Sequence, residues 1–239
     1  MNFLPIYVPL VFMATTFVTI FLFYKASGKN KVVLTVLLAW LLFQTVLGTT
    51  GFFNVTDTMP PRFALLVLPP LLLVIAIFLT SRGRAFIDNL DVKTLIVLHA
   101  IRIPVEIVLF WLFINKLMPQ LMTIEGRNFD ILSGLTAPVV YYFAFVKNKL
   151  GTKTLLAWNF ICLAILVFTV INAILSAPTP FQQFAFDQPS VAVLYFPFTW
   201  LPAIVVPLVY FSHLVSIRRL SRGAKDNSTS HSFNLRTAN

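Results

Sequence analysis

Seven long apolar blocks leave this chain almost no choice of solvent. They run Pro5–Tyr24, Val32–Gly51, Phe63–Thr80, Leu95–Ile114, Ile131–Val146, Leu155–Leu175 and Val193–Leu214. A helix rising 1.5 Å per residue crosses a hydrocarbon core of about 30 Å in about 20 residues, which is the length these blocks approach. Inside a bilayer every backbone amide must find its partner within the protein, and runs of this length do so as helices; barrel strands would be half as long and alternating. Composition agrees: only 11% of residues are charged, against about a quarter in soluble domains. The expectation is an all-α, polytopic membrane protein with seven transmembrane helices over residues 1–216. Residues 217–239 then form a basic tail, rich in Ser, Thr and Asn and too poor in apolar groups to offset ordering entropy. What remains between the blocks suffices for loops and tails only.

Charge placement sets an orientation. Of the eighteen Lys and Arg residues, fourteen share one side under this plan, from Lys25, Lys29 and Lys31 through Arg82, Arg84, Lys93, Lys147, Lys149 and Lys153 to the basic tail. Arg62, Lys116 and Arg127 occupy the other side, and Arg102 lies within a span. Cytoplasmic loops carry the excess of basic residues, so the amino terminus reads as outside and the carboxyl terminus as cytoplasmic. The net charge of +10 is thereby accounted for by the bilayer, with no nucleic-acid partner, and the basic start of the tail is drawn to anionic headgroups. The first block has no basic segment before it and meets Lys25 at once, as a retained first span does. The single cysteine, Cys162, excludes an intrachain disulfide. Asn54-Val55-Thr56 is a glycosylation acceptor triplet on the expected outer side, and Asn227-Ser228-Thr229 is its counterpart in the tail.

A faint internal echo joins helices one to three with five to seven. Lys25 to Lys31 spans the same six positions as Lys147 to Lys153, and Pro61 to Pro69 matches Pro189 to Pro197 in both prolines, an alanine and a leucine. With the fourth helix as linker, this is a three-plus-one-plus-three parallel repeat. The plan resembles that of SWEET-type sugar carriers, and seven spans that of microbial rhodopsins, in architecture alone. The first span lacks the Pro-Gln pair of the sugar carriers, and the seventh has no lysine for a retinal Schiff base.

Chemistry concentrates in the fourth block, His99-Ala-Ile-Arg102-Ile-Pro104-Val-Glu106. At 100° per residue His99, Arg102 and Glu106 share one helix face, and Glu106 sits about 16 Å into the span, near the midplane. Each central charge costs about 2.5–3.5 kcal/mol to insert, so the stripe should turn inward, with Arg102 and Glu106, four apart, pairing along the helix. Pro104 removes the amide that would satisfy the Ala100 carbonyl, so a kink there is expected to open a polar cavity. Glu106 then reads as a proton- or cation-responsive carboxylate, Arg102 as its partner or an anion anchor, and His99 as a proton relay.

A second concentration, Glu125-Gly126-Arg127-Asn128-Phe129-Asp130, leads into the fifth span. Asp130 fits a helix cap; alternatively Arg127 and Asp130 close the outer mouth of a cavity floored by Glu106 and walled by Ser133 and Thr136. Two histidines, His99 and His213, could face a haem iron, but a two-haem bundle needs four, and no cofactor is expected. No HExxH, GxSxG, P-loop or dinucleotide fingerprint occurs. The leading reading is a carrier for a small polar solute or proton, with the substrate-binding set His99, Arg102, Glu106, Arg127, Asp130, Ser133 and Thr136. A non-transporting subunit docking a partner helix is the alternative, and a lipid-acting enzyme the third.

Overall fold

A computed structural model of the chain describes residues 4–236, with side chains through residue 223. No strand occurs among the described residues. The helices are α1 (Tyr7–Ala26), α2 (Lys31–Thr49), α3 (Ala64–Leu79), α4 (Ser81–Asp88), α5 (Val92–Leu98), α6 (Arg102–Ile114), α7 (Asp130–Tyr141), α8 (Thr152–Ser176) and α9 (Val206–Arg236). A 3-10 turn, His99–Ile101, joins α5 to α6 as one rod; π-helical turns extend α7 (Tyr142–Val146) and precede α9 (Leu201–Val205). Five of these passes are long and apolar enough to cross a membrane: α1, α2, the α5–α6 rod, α8, and the π turn with the first part of α9. The chain is therefore a membrane protein. The third and fifth expected spans fall short of that length. α3 ends in a 91° bend into α4, and Asp130–Val146 is a shorter apolar helix.

Local chemistry explains several boundaries. Asn30 starts α2 by accepting from Val32 N and Val33 N, and Asp91 starts α5 by accepting from Lys93 N and Thr94 N. At the α3–α4 corner the Thr80 hydroxyl accepts from Gly83 N. Gly83 is required there for space, since a Cβ would lie 2.1 Å from the Ile77 carbonyl oxygen. The last pass begins at Leu201, eight residues later than apolarity suggests. Residues 193–200 carry Pro197, which cannot donate into a helix, and they turn across the end of the bundle instead.

The α5–α6 rod is the axis of the bundle: 61% of its most apolar window is buried inside the protein, against 17% for α2 at the periphery. It packs on α1, α7 and α9, and α9 packs along α8. Chain ends of successive helices meet at two opposite ends. At one, Asp91 N donates to Ala26 O, and Asp88 at the end of α4 gathers Arg218 (3.2 Å) and Arg222 (2.5 Å) of α9, with Arg219 donating to the Asp88 carbonyl. Hydrogen bonding from Arg218 holds the Asp88 carboxyl below the usual carboxylate range, against a smaller opposing effect of burial. The basic segment from residue 217 is thus continuous with α9 as far as side chains are described. The rest of the expected tail, side chains beyond residue 223 and all of residues 237–239, lies outside the described residues.

At the opposite end two connections fold into the bundle rather than over it. Gln188 donates to the carbonyls of Phe113 (3.1 Å) and Met118 (2.6 Å), and Ala192 N donates to Leu117 O. Met118, Met122, Thr123, Asn128, Ser190 and Val193 are all buried. This inserted cap is the reason α7 is short: its first turn starts beneath the cap, below the level at which α6 ends. The proposed repeat finds no matching placement, because Pro69 lies inside α3 whereas Pro197 precedes the π turn at Leu201.

Candidate functional site

Arg102 does not pair along its own helix. Its guanidinium reaches across to Asp130 at the start of α7 (3.4 Å) and to His213 of α9, where NH2 lies 3.1 Å from Nε2. A guanidinium can only donate, so His213 Nε2 is the acceptor and its proton is on Nδ1. That nitrogen donates to Asn159 Oδ1 at 3.0 Å, and Asn159 in turn donates to Leu155 O. The His99 ring stacks on His213 with centroids 3.8 Å apart and meets Trp158 edge-on at 5.6 Å. Trp158 is itself fixed by donating from Nε1 to the Thr136 hydroxyl. His99, Asn159 and His213 are wholly buried and Arg102 is 3% exposed, and in this half both His99 ring nitrogens and Arg102 Nε and NH1 have no hydrogen-bond partner. The two imidazoles lie face to face with no gap between them, so they are not placed to grip an iron from opposite sides.

α7 comes this close to α6 because its facing residues are small. Gly134 packs directly on the rod, where an added Cβ would meet Ile103 Cγ1 at 3.0 Å, Ile103 N at 3.1 Å and Arg102 Cβ at 3.2 Å. Ala137, one turn on, is also fully buried. Such small-residue seams let membrane helices approach closely. Asp130 lies one turn before Gly134 on the same face, which carries its carboxylate to Arg102.

Glu106 belongs to the other half. Asn128 donates to its Oε1 at 2.6 Å and also to Met122 O, while Asn128 Oδ1 accepts from Asp130 N and from the Thr169 hydroxyl of α8, each at 3.1 Å. Both donor hydrogens and both acceptor positions of this buried amide are therefore used. Asn128 pins three elements together: the rod, the start of α7 and α8. Glu106 Oε2, by contrast, has no hydrogen-bond partner although Glu106 is only 5% exposed. An unpartnered buried carboxylate oxygen is costly and calls for an explanation.

That oxygen belongs to a residue lining a cavity of ≈ 290 Å³ between α3, α6, α8 and the start of α9. Glu106, Asn128, Asp130, Thr169, Ser190 and Tyr210 supply its polar groups; the remaining walls are apolar, among them Val67, Leu71, Val105, Leu166 and Val170. Ser190 Oγ and Asp130 Oδ1 are also without a hydrogen-bond partner. Met118, Met122, Ser190 and Val193 roof the cavity with the inserted cap.

The expected set of residues is therefore divided. Glu106 and Asp130 come together at the cavity, with Arg102 behind Asp130. The expected Arg102–Glu106 pair is replaced by Arg102–Asp130 and Asn128–Glu106, because α7 and the cap bring better-placed partners to each. Asp130 is not a solvated cap: it is the first residue of α7, makes no capping bond, and is buried. Ser133 is buried away from the cavity with its hydroxyl unpartnered, Thr136 is exposed and holds Trp158, and Arg127 is exposed and closes nothing. His99 has no route to water. Pro104 produces a tightened turn at His99–Ile101, not a polar opening; the cavity lies beyond it at Glu106. Sequence reasoning missed Asn128, which reads as a solvated loop residue, and Asn159 and Thr169, polar groups inside an otherwise apolar span that were signals in plain view.

The fold and this site define a multi-helix membrane protein with a cavity inside its helical bundle. Residues 59–221 match the family described as Domain of unknown function (DUF8737), and the chain belongs to that family. The match spans α3 to α9 and with them every residue of the site. No curated protein and no solved structure matches the chain.

Proposed function

We propose that the chain is a seven-pass protein of the cell membrane, amino terminus outside and carboxyl terminus cytoplasmic, that holds a small solute or proton at Glu106 as a carrier. The observation that carries this reading is the free Glu106 oxygen beside a cavity near the middle of the bundle. One oxygen held by Asn128 and one left free at the cavity suits an exchangeable ligand. The basic loops collect at the Asp88 end, in keeping with a cytoplasmic face there. α3 and α7 are short for full spans, but α7 starts beneath an inserted cap that makes up the missing depth. Polar residues turned inward argue against docking a partner helix through this stripe, since Arg102 and His99 are already engaged within their own bundle.

A thermal-stabilisation screen of the purified protein against polar solutes and lipids, run in parallel on Glu106→Gln, tests the reading. A ligand that stabilises the wild-type protein and not the folded variant supports it. Stabilisation unaffected by Glu106→Gln, or none from any compound at any pH, removes it.

A further inference from the structure

Three properties of the cavity narrow what it can hold. The first is its entrance. The cap roofs it with buried side chains, whereas Leu71 of α3 is 36% exposed and Ile171 of α8 is 50% exposed on the outer surface of the bundle. Both residues also line the cavity, with α3 forming one of its sides and α8 another. The way in is sideways, from the hydrocarbon of the bilayer, between α3 and α8.

The second property is shape and size. From Phe63 to Val74 the α3 wall extends about 16 Å along the helix, and the walls over that length are apolar. A volume of ≈ 290 Å³ stands at the small end of the range for ligand pockets, about 300–1,000 Å³. One alkyl chain of about 16 Å laid along that wall, with a small head, matches this length.

The third is charge. Arg102 and Asp130 pair with one another, so Glu106 is the one acid of the trio without a cation. Its free oxygen, together with Ser190 Oγ, offers acceptors and no fixed positive charge to a head group inside the cavity. A single ammonium that donates hydrogen bonds complements this floor, whereas phosphate, sulfate or a fatty carboxylate would meet an acid without compensation.

We propose that the cavity binds a single-chain amphiphilic amine, which enters laterally from the bilayer with its ammonium on Glu106 and its alkyl chain along α3. The proposal rests on the Glu106 site described above and specifies its ligand. The probe is a photoactivatable, alkyne-bearing long-chain primary amine added to the purified protein in lipid vesicles. Expected are saturable labelling on α3 and α8, competition by unlabelled dodecylamine, at least tenfold weaker competition by dodecanoate or methylamine, and at least tenfold weaker labelling of Glu106→Gln. Leu71→Trp, which obstructs the entrance and leaves the polar floor untouched, should reduce labelling to a similar extent with unchanged thermal stability.

Labelling that is insensitive to both variants, or competed equally by the fatty acid, overturns the proposal. Glu106-dependent stabilisation by a short hydrophilic solute, with no competition by dodecylamine, overturns the amphiphile while leaving the carrier reading in place. Labelling and ligand stabilisation that are the same in Glu106→Gln as in wild type remove both.

Discussion

Single residues carry very unequal weight in this bundle, and the inequality follows from how many partners each one satisfies. Asn128 makes four hydrogen bonds that no other side chain can take over. Asn128→Ala strands the Glu106 carboxylate, the Asp130 amide and the Thr169 hydroxyl at once. At about 1–3 kcal/mol per unsatisfied group, with incomplete additivity, a loss of about 3 kcal/mol is expected in reversible unfolding in detergent. Removing one member of the Arg102–Asp130 pair should be worse than removing both. Arg102→Met leaves a buried charge and an unpartnered His213 nitrogen, for an expected cost of about 3–5 kcal/mol. The double variant with Asp130→Leu should recover part of that loss, and a double-mutant cycle measures how much. A double variant no more stable than the single one would mean that the pair is not the coupling unit.

At the scale of elements, the decisive contact is α7 against the rod. It depends on Gly134, where even one carbon has its nearest neighbours at 3.0–3.2 Å, one of them backbone. Gly134→Leu should force the two helices apart, cost about 3 kcal/mol in the same unfolding measurement, and separate Arg102 from Asp130. The corner between α3 and α4 makes a second element-scale prediction. α4 is tied to α9 through Asp88, whose carboxyl is held below its ordinary range chiefly by hydrogen bonding from Arg218. A depressed folded-state value means a contribution present at pH above the unfolded value, about 3.9, and lost as pH falls through the lower folded one. The stability difference between wild type and Asp88→Asn should therefore be flat from neutral pH to about pH 5 and vanish in stronger acid. Because the group is partly exposed, the difference should stay within about 1 kcal/mol. A difference that grows on acidification contradicts the assignment.

The molecule as a whole is organised around an axis and two dissimilar ends. One end is basic and tied by Asp88; the other is closed by connections that descend into the helices. With Cys162 buried and replaced by Ala, single cysteines at the exposed positions Glu125 and Lys149 report on the two ends. An impermeant maleimide should label the first in intact cells and the second only after permeabilisation. The reverse pattern would invert the proposed orientation, and labelling of both from one side would remove a pass.

Sequence alone was sufficient for the solvent, for the helical class and for the gathering of basic loops, because hydropathy and helix length are local properties that hydrocarbon imposes on any chain. It also located Glu106 and Arg102 as groups that must turn away from lipid, since a charge in that medium has nowhere else to go. It could not assign their partners. Glu106 meets Asn128 across 22 residues and Arg102 meets His213 across 111, and those meetings depend on a glycine seam, an inserted cap and a late start to the last helix. The tertiary structure chose the pairs because close packing lets each buried polar group reach only the neighbours its own helix face presents, leaving one oxygen of Glu106 without any.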